Sequence, residues 1–157
     1  MNDPQTYFLL PGALKVSINP MEITTLLGSC VAICLWDKKL QQGGINHYMM
    51  PFWNGSGLAS PKYGNIAIEK LINSMYYIGS KKEDIVAKVF GGAMVLNTED
   101  KIFHIGERNI EIQEKLLKEQ GIKVVAKSLG GNNGRKIIFN TQTGVVKMKY
   151  VSKNNAK

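Results

Sequence analysis

The chain is poor in the residues that staple, ligate or span. It has two cysteines in 157 residues, too few for a disulfide framework. Those two, Cys30 and Cys34, stand four apart on what reads as one strand, where extended backbone separates them by roughly 13 Å, beyond the reach of an S–S bond. Histidine is equally scarce, with only His47 and His104. Together these four side chains are potential metal ligands, but Cys-x3-Cys on an apolar strand does not match the two-residue gaps of structural zinc sites. A site using all four would also leave no open position for chemistry, so no metal is expected. The longest apolar run, residues 30–36, is far shorter than the ~20 residues that cross a bilayer. The opening Met1-Asn2-Asp3-Pro4 has neither the basic start nor the apolar stretch of a secretory signal. The expectation is a cytoplasmic protein without membrane insertion. Walker and dinucleotide fingerprints are missing too. Gly130-Gly131-Asn132-Asn133-Gly134-Arg135 is glycine-rich and ends on a cation, yet it lies between two strands rather than before a helix, and it reads as a long hairpin loop.

Acidic residues are outnumbered, 12 against 20 Lys and Arg, for a net charge of +8. Such a balance favours acidic partners. The basic residues are scattered, with local density at Lys38-Lys39, Lys81-Lys82 and the stretch Lys147, Lys149, Lys153, Lys157. No RNP-like aromatic motif, zinc-finger spacing or helix-turn-helix pattern accompanies them, so a nucleic-acid partner is not expected. The charge reads as a solvated face with a frayed tail over about 152–157.

What is present is an ordinary globular composition, 44% apolar and 20% charged, in one domain spanning 1–157 with no repeat or Pro/Gly/Ser-rich linker. Short strand-type runs at 7–10, 14–18 and 22–27 are punctuated by Pro11-Gly12 and Asn19-Pro20. Residues 30–36 are apolar on both faces, as a central covered strand must be, and 44–50 follow as the next strand after a polar turn. A helix is expected from about 63 to 77 with Ala67, Ile68, Leu71, Ile72 and Met75 inward, stopped by Gly79. A strand at 84–90, a helix at 107–120 ending at Gly121, and strands at 123–129, 135–140 and 145–151 complete the chain. Strands at both ends and two amphipathic helices between them argue for α+β, with the helices covering sheet faces.

Chemistry concentrates at Cys30. Leu27-Gly28-Ser29-Cys30 puts a thiol just after a glycine that permits a sharp bend, where neighbouring backbone N–H groups can face a developing oxyanion. A hairpin centred near residue 39 pairs Cys30 close to position 48, which brings His47 near the thiol. An imidazole there would generate the thiolate and later protonate a leaving amine. A third group should hold the imidazole in one tautomer, and Thr24 or Thr25, on the strand entering the turn, can supply an acceptor. The competing reading makes Cys30 and His47 core residues and the threonines mere strand formers. Cys34 reads as a small buried hydrophobe.

Thr24-Thr25-Leu26-Leu27-Gly28-Ser29-Cys30-Val31-Ala32, followed by Gly43-Gly44-Ile45-Asn46-His47-Tyr48-Met49-Met50-Pro51, resembles the first motif block of CheD, the chemoreceptor glutamine deamidase family. The likeness continues through Lys62-Tyr63-Gly64, Ala87-Lys88-Val89-Phe90-Gly91-Gly92-Ala93, Ile105-Gly106-Glu107-Arg108-Asn109 and Leu129-Gly130-Gly131-Asn132-Asn133-Gly134-Arg135, with Phe139 and Thr143-Gly144. The resemblance implies hydrolysis of glutamine side chains on methyl-accepting chemotaxis receptors to glutamate and ammonia, without a cofactor. It puts the family's catalytic cysteine at Cys30, its histidine at His47 and its threonine at Thr24. It further implies mixed or antiparallel sheets packed as a sandwich-like core with helices outside, similar to the catalytic domain of cytotoxic necrotizing toxins. CheC enters as a partner and receptor methylesterase activity as a second use of the thiol. The alternative from another class is a non-catalytic adaptor that holds a receptor or CheC.

Overall fold

A computed structural model describes residues 3–94 and 104–151, and the expected frayed tail at 152–157 lies outside them. The chain forms β1 (Gln5–Phe8), β2 (Leu14–Ser17), β3 (Met21–Leu27), β4 (Val31–Asp37), β5 (Gln42–Asn46), α1 (Gly64–Tyr77), β6 (Ile85–Gly91), α2 (Ile105–Glu119), β7 (Lys123–Leu129), β8 (Gly134–Asn140) and β9 (Val146–Val151). One sheet has four strands in the order β1-β3-β8-β9, and the other has five in the order β2-β5-β4-β6-β7. Both are mixed: β1 runs parallel to β3 and β6 parallel to β7, the remaining pairs being antiparallel. The class is α+β, as its strand and helix patterns require.

The apolar run at 30–36 has a direct explanation in two cores. Successive strand side chains point to opposite faces, and β4 is the middle strand of the larger sheet. Val31, Ile33 and Leu35 join Ala67, Leu71 and Met75 of α1 and Ile112 and Leu117 of α2 in one cluster. Ala32 and Cys34 join Ile23 and Leu27 of β3, Ile45 of β5, Phe90 of β6 and Ile137 and Phe139 of β8 in the other. The molecule is thus layered: small sheet, large sheet, helices. Each fully buried Ile, Leu or Phe contributes roughly 1.5–3 kcal/mol to holding these layers together.

Both helices stop where a glycine accepts a positive φ. Gly79 (φ +102°) and Gly121 (φ +70°) follow α1 and α2, and Ser80 N–H returns to Met75 O and Ile122 N–H to Leu117 O at 3.0 Å. The apolar stripe of α1 is buried as its periodicity requires. In α2, Ile112 and Leu117 are buried and Leu116 packs against the same cluster from a partly exposed position.

Two expectations need correction. The glycine-rich stretch at 130–133 is not a hairpin loop: β7 ends on the edge of the large sheet and β8 pairs with β3 in the small one. The loop therefore crosses between layers. Local glycine content does not reveal whether the next strand returns or departs, because that is decided by pairing with distant strands. The strand expected at 44–50 is shorter, β5 ending at Asn46 with Tyr48 reduced to an isolated bridge opposite Val31. Its cause is Asn46, fully buried, whose Oδ1 takes the Ile33 N–H at 2.9 Å and whose Nδ2 donates to Ala67 O at 3.3 Å. A side chain thus replaces backbone in the ladder, next to His47.

Candidate functional site

Register settles how Cys30 and His47 relate. β4 and β5 pair with Cys34 opposite Ile45 and Trp36 opposite Gly43, and the same register continues to the Val31–Tyr48 bridge, where each N–H donates to the other's carbonyl at 3.1 and 3.0 Å. Position 49, not 48, therefore lies opposite Cys30. His47 is displaced by two residues from that opposite point, which keeps it on the same face as Cys30. Diagonal neighbours of this kind lie roughly 7 Å apart, within reach of a long side chain. Cys30 packs against the inter-sheet cluster, with Ala32 and Cys34 ahead of it on the same face.

The imidazole is held from below by the small sheet. Thr25 Oγ1 lies 2.7 Å from His47 Nδ1 and 2.8 Å from Leu9 O. A hydroxyl has one proton, and the Leu9 carbonyl can only accept. Thr25 therefore donates to Leu9, and His47 Nδ1–H donates to Thr25. That chain fixes the tautomer and leaves Nε2 with its lone pair, buried and with no hydrogen-bond partner. His47 itself is 1% exposed, and burial pushes its pKa down to about 4, so the ring is neutral at neutral pH. Its backbone is equally fixed: His47 N–H donates to Ala13 O at 3.2 Å, and His47 O accepts from Gly12 N–H at 2.8 Å. Gly12 has φ +82°, and this tight turn after Leu9 is what carries the Thr25 acceptor and the His47 anchor in one piece.

Thr24, the threonine assigned by resemblance, does not meet the imidazole. On β3 the buried side chains are Met21, Ile23, Thr25 and Leu27, and alternation turns Thr24 to the outer face, while its carbonyl accepts the Leu9 N–H at 2.9 Å. The hydroxyl that meets His47 Nδ1 is that of Thr25. The two are neighbours in sequence, and only the packing of one sheet on the other tells them apart.

The turn that carries the thiol is clamped on three sides. Ala93 N–H donates to Gly28 O at 3.0 Å and Gly92 N–H to Cys30 O at 2.9 Å. A Cβ on Gly91 would overlap the Cys30 carbonyl oxygen. Arg135 is 2% exposed; its Nε donates to Ser128 Oγ at 3.0 Å and its terminal nitrogens to Gly130 O at 2.9 Å and Gly91 O at 3.4 Å. This buried cation ties the inter-sheet crossing to the strand end that abuts Cys30. From the helix side, Asn109 Nδ2 donates to Ser29 O at 2.9 Å and to Met49 O at 3.1 Å. Neither clamp has a local sequence signal, since Asn109 stands 80 residues beyond the Ser29 carbonyl it holds and Arg135 stands 44 beyond the Gly91 carbonyl it holds.

The other candidates fall away from this place. Cys34 is 1% exposed and burial pushes its thiol far up, as suits a small core residue. His104 is exposed, in a left-handed conformation before α2, with Nδ1 3.7 Å from Glu107 Oε2. Among the described residues no three His, Cys, Asp or Glu side chains converge on a point that could hold a metal ion, and no helix is long and apolar enough to cross a membrane.

Residues 49–150 match the family model described as CheD chemotactic sensory transduction. Over 140 residues the chain is 59% identical to the probable chemoreceptor glutamine deamidase CheD of Trichlorobacter lovleyi, covering 89% of this chain and 87% of that protein. The protein of the same description from Sulfurimonas denitrificans is 52% identical over 142 residues, with 89% and 90% covered. That from Thiobacillus denitrificans is 39% identical over 157 residues, with 98% and 77% covered. An aligned span of 140 residues in a chain of 157 necessarily contains the segment from Thr24 to His47, which lies ahead of the family-model match. By a family match over well more than half its length, and by relatives this similar over most of both chains, the chain belongs to the CheD family.

Proposed function

We infer that the chain is a chemoreceptor glutamine deamidase that hydrolyses receptor glutamine side chains through a thiol nucleophile. The observation that supports the chemistry is the relay Leu9 O, Thr25 hydroxyl, His47 Nδ1–H, which leaves a buried Nε2 lone pair on the face of Cys30.

In the first step Nε2 of His47 takes the Cys30 proton as Sγ attacks the carboxamide carbon. The tetrahedral oxyanion collapses as the imidazolium returns the proton to nitrogen, releasing ammonia and leaving a thioester. Water then attacks the thioester, giving its proton to Nε2, and the second oxyanion expels Cys30 sulfur, which is reprotonated, with glutamate as product. Backbone N–H groups around the nucleophile, that of Cys30 among them, stabilise both oxyanions. The neutral resting imidazole suits a general base. A neutral hydroxyl–carbonyl pair behind it, rather than a carboxylate, steadies the transient imidazolium only modestly, which suits a reaction whose basic step is deprotonating a thiol.

The reading extends to a cytoplasmic location, where receptor signalling domains are reached, to CheC as a partner, to methylesterase turnover by the same thiol, and to the likeness with cytotoxic necrotizing toxin catalytic domains. The experiment that tests it is mass spectrometry of receptor fragments incubated with the protein. Conversion of Gln to Glu with ammonia release is expected, and its loss in Cys30→Ala. A chain that binds receptor and leaves every glutamine intact is an adaptor and overturns the reading.

A further inference from the structure

Asn109 sits in the second turn of α2 with no exposed surface, yet its side-chain N–H groups and its main-chain carbonyl are directed at the two segments that carry Cys30 and His47. Nδ2 donates to the carbonyl of Ser29, the residue before the thiol, and to that of Met49, two residues after the imidazole. Its main-chain carbonyl accepts the hydroxyl of Tyr48, between them, at 2.5 Å. Oδ1 is buried with no hydrogen-bond partner. A buried amide that leaves one of its own atoms unmatched while supplying its N–H groups to the segments on either side of the site is unfavourable as packing alone, and calls for an explanation in what those N–H groups hold.

The carbonyl of Ser29 and the N–H of Cys30 belong to one peptide unit. That unit is planar, and among the described residues there is no cis peptide, so the two groups point in opposite directions. A carbonyl drawn towards α2 turns the Cys30 N–H away from α2, while the Cys30 side chain packs against the inter-sheet cluster. We propose that Asn109 is a positioning residue that pins the Ser29–Cys30 peptide plane and so aims the Cys30 N–H at the oxyanion. This rests on the deamidase reading above and goes beyond it by naming what orients the donor. Asn109 touches neither the thiol's proton nor the substrate; it acts through the peptide.

Two reactions of the same thiol separate this from a general structural role. Amide hydrolysis passes through an oxyanion, whereas alkylation by iodoacetamide displaces iodide at a saturated carbon and needs no oxyanion donor. Asn109→Leu keeps the branched shape and removes both donors; Asn109→Ala provides a second variant, and Tyr48→Phe is the control that disturbs the neighbourhood but leaves Nδ2 in place. The expected result is a kcat for receptor deamidation roughly 10- to 100-fold lower in the Asn109 variants, short of the 10²–10³ seen when a donor is lost outright. KM and the rate of Cys30 alkylation should stay within about threefold of the parent chain, and Tyr48→Phe should keep its kcat. A crystal structure of Asn109→Leu should show the Ser29–Cys30 peptide rotated. Unchanged kcat, alkylation falling in parallel with kcat, a peptide plane that keeps its direction, or failure of both Asn109 variants to fold would each overturn the proposal. A parent chain that deamidates nothing would sink the deamidase reading instead, and the peptide plane in the variant would still decide whether Asn109 pins it.

Discussion

Thr24 and Thr25 differ by one position and therefore by one face of β3, and the difference is open to direct measurement. Thr25→Val keeps the shape and removes the acceptor for His47 Nδ1–H, freeing the ring to adopt the tautomer with its proton on Nε2. The expected loss in kcat is roughly 10- to 100-fold, below the effect of removing the base itself. Thr24→Val should leave kcat within about twofold. Steady-state assays of the pair decide between them, and equal effects would return the orienting role to Thr24. His47 adds a pH dependence with a definite sign. Its folded pKa, near 4, is below the ordinary 6.5, so between those values the unfolded chain binds a proton that the folded chain refuses. Its contribution to stability is complete above about pH 6.5 and is lost as pH falls towards 4. Each pH unit in that window removes about 1.4 kcal/mol, so about 2 kcal/mol should go between pH 7 and 5. Urea titrations should show this slope in the parent chain and its absence in His47→Gln. For the same reason the acid limb of deamidation should not begin at pH 6.5.

At the scale of elements, the site depends on strand ends packed closely enough that no side chain fits between them. Gly91 closes β6 with φ +114°, and a Cβ there would run into the Cys30 carbonyl oxygen. Gly91→Ala therefore suffers both backbone strain and overpacking, about 2–4 kcal/mol together. Relief requires the end of β6 and the Cys30 turn to move apart. A lowered melting temperature and a lowered kcat are expected together, and a variant that loses neither would show the contact to be soft. The gap in the β4–β5 ladder works in the other direction. Asn46 gives the Ile33 N–H a side-chain acceptor, and Asn46→Leu would leave that N–H buried and unpaired, at about 1–3 kcal/mol.

For the whole molecule the question is where the charge of +8 is exerted. Among the described residues the one contact between a basic and an acidic side chain is His104 Nδ1 to Glu107 Oε2 at 3.7 Å, and it engages no lysine. On the outer face of the small sheet Lys136 stands directly opposite Lys149, with Lys147 next along β9 and the half-exposed Leu26 beside Lys136 on β3. Like charges directly opposite each other destabilise a sheet, and they are at the end of β3 that leads to Cys30. If receptor encounter is steered by charge, raising salt should raise KM with little change in kcat. Lys136→Glu with Lys149→Glu should do the same at low salt, while alkylation of Cys30 by neutral iodoacetamide stays constant. A KM indifferent to both would make these lysines a solvated face and nothing more.

Much of the site was legible along the chain because its signals are local. A glycine before a lone thiol, a seven-residue run apolar on both faces, helix stripes ending at Gly79 and Gly121, and a histidine at hairpin distance all follow from the period of the backbone and from the conformations each residue tolerates. The centre of the hairpin, read one-half residue short, still brought Cys30 and His47 together. What tertiary structure alone decided is everything that needs a face or a partner from elsewhere. Thr25 rather than Thr24 meets the imidazole because the small sheet packs its buried face against the large one. The glycine-rich loop crosses layers because β8 finds β3 rather than β7. Asn109 reaches the Cys30 turn from α2 across 80 residues of chain, and Arg135 reaches the end of β6 beside that turn from β8 across 44. Side-chain period is encoded in each segment, but the pairing of segments is settled by which apolar faces can be buried together, and that is a property of the whole fold.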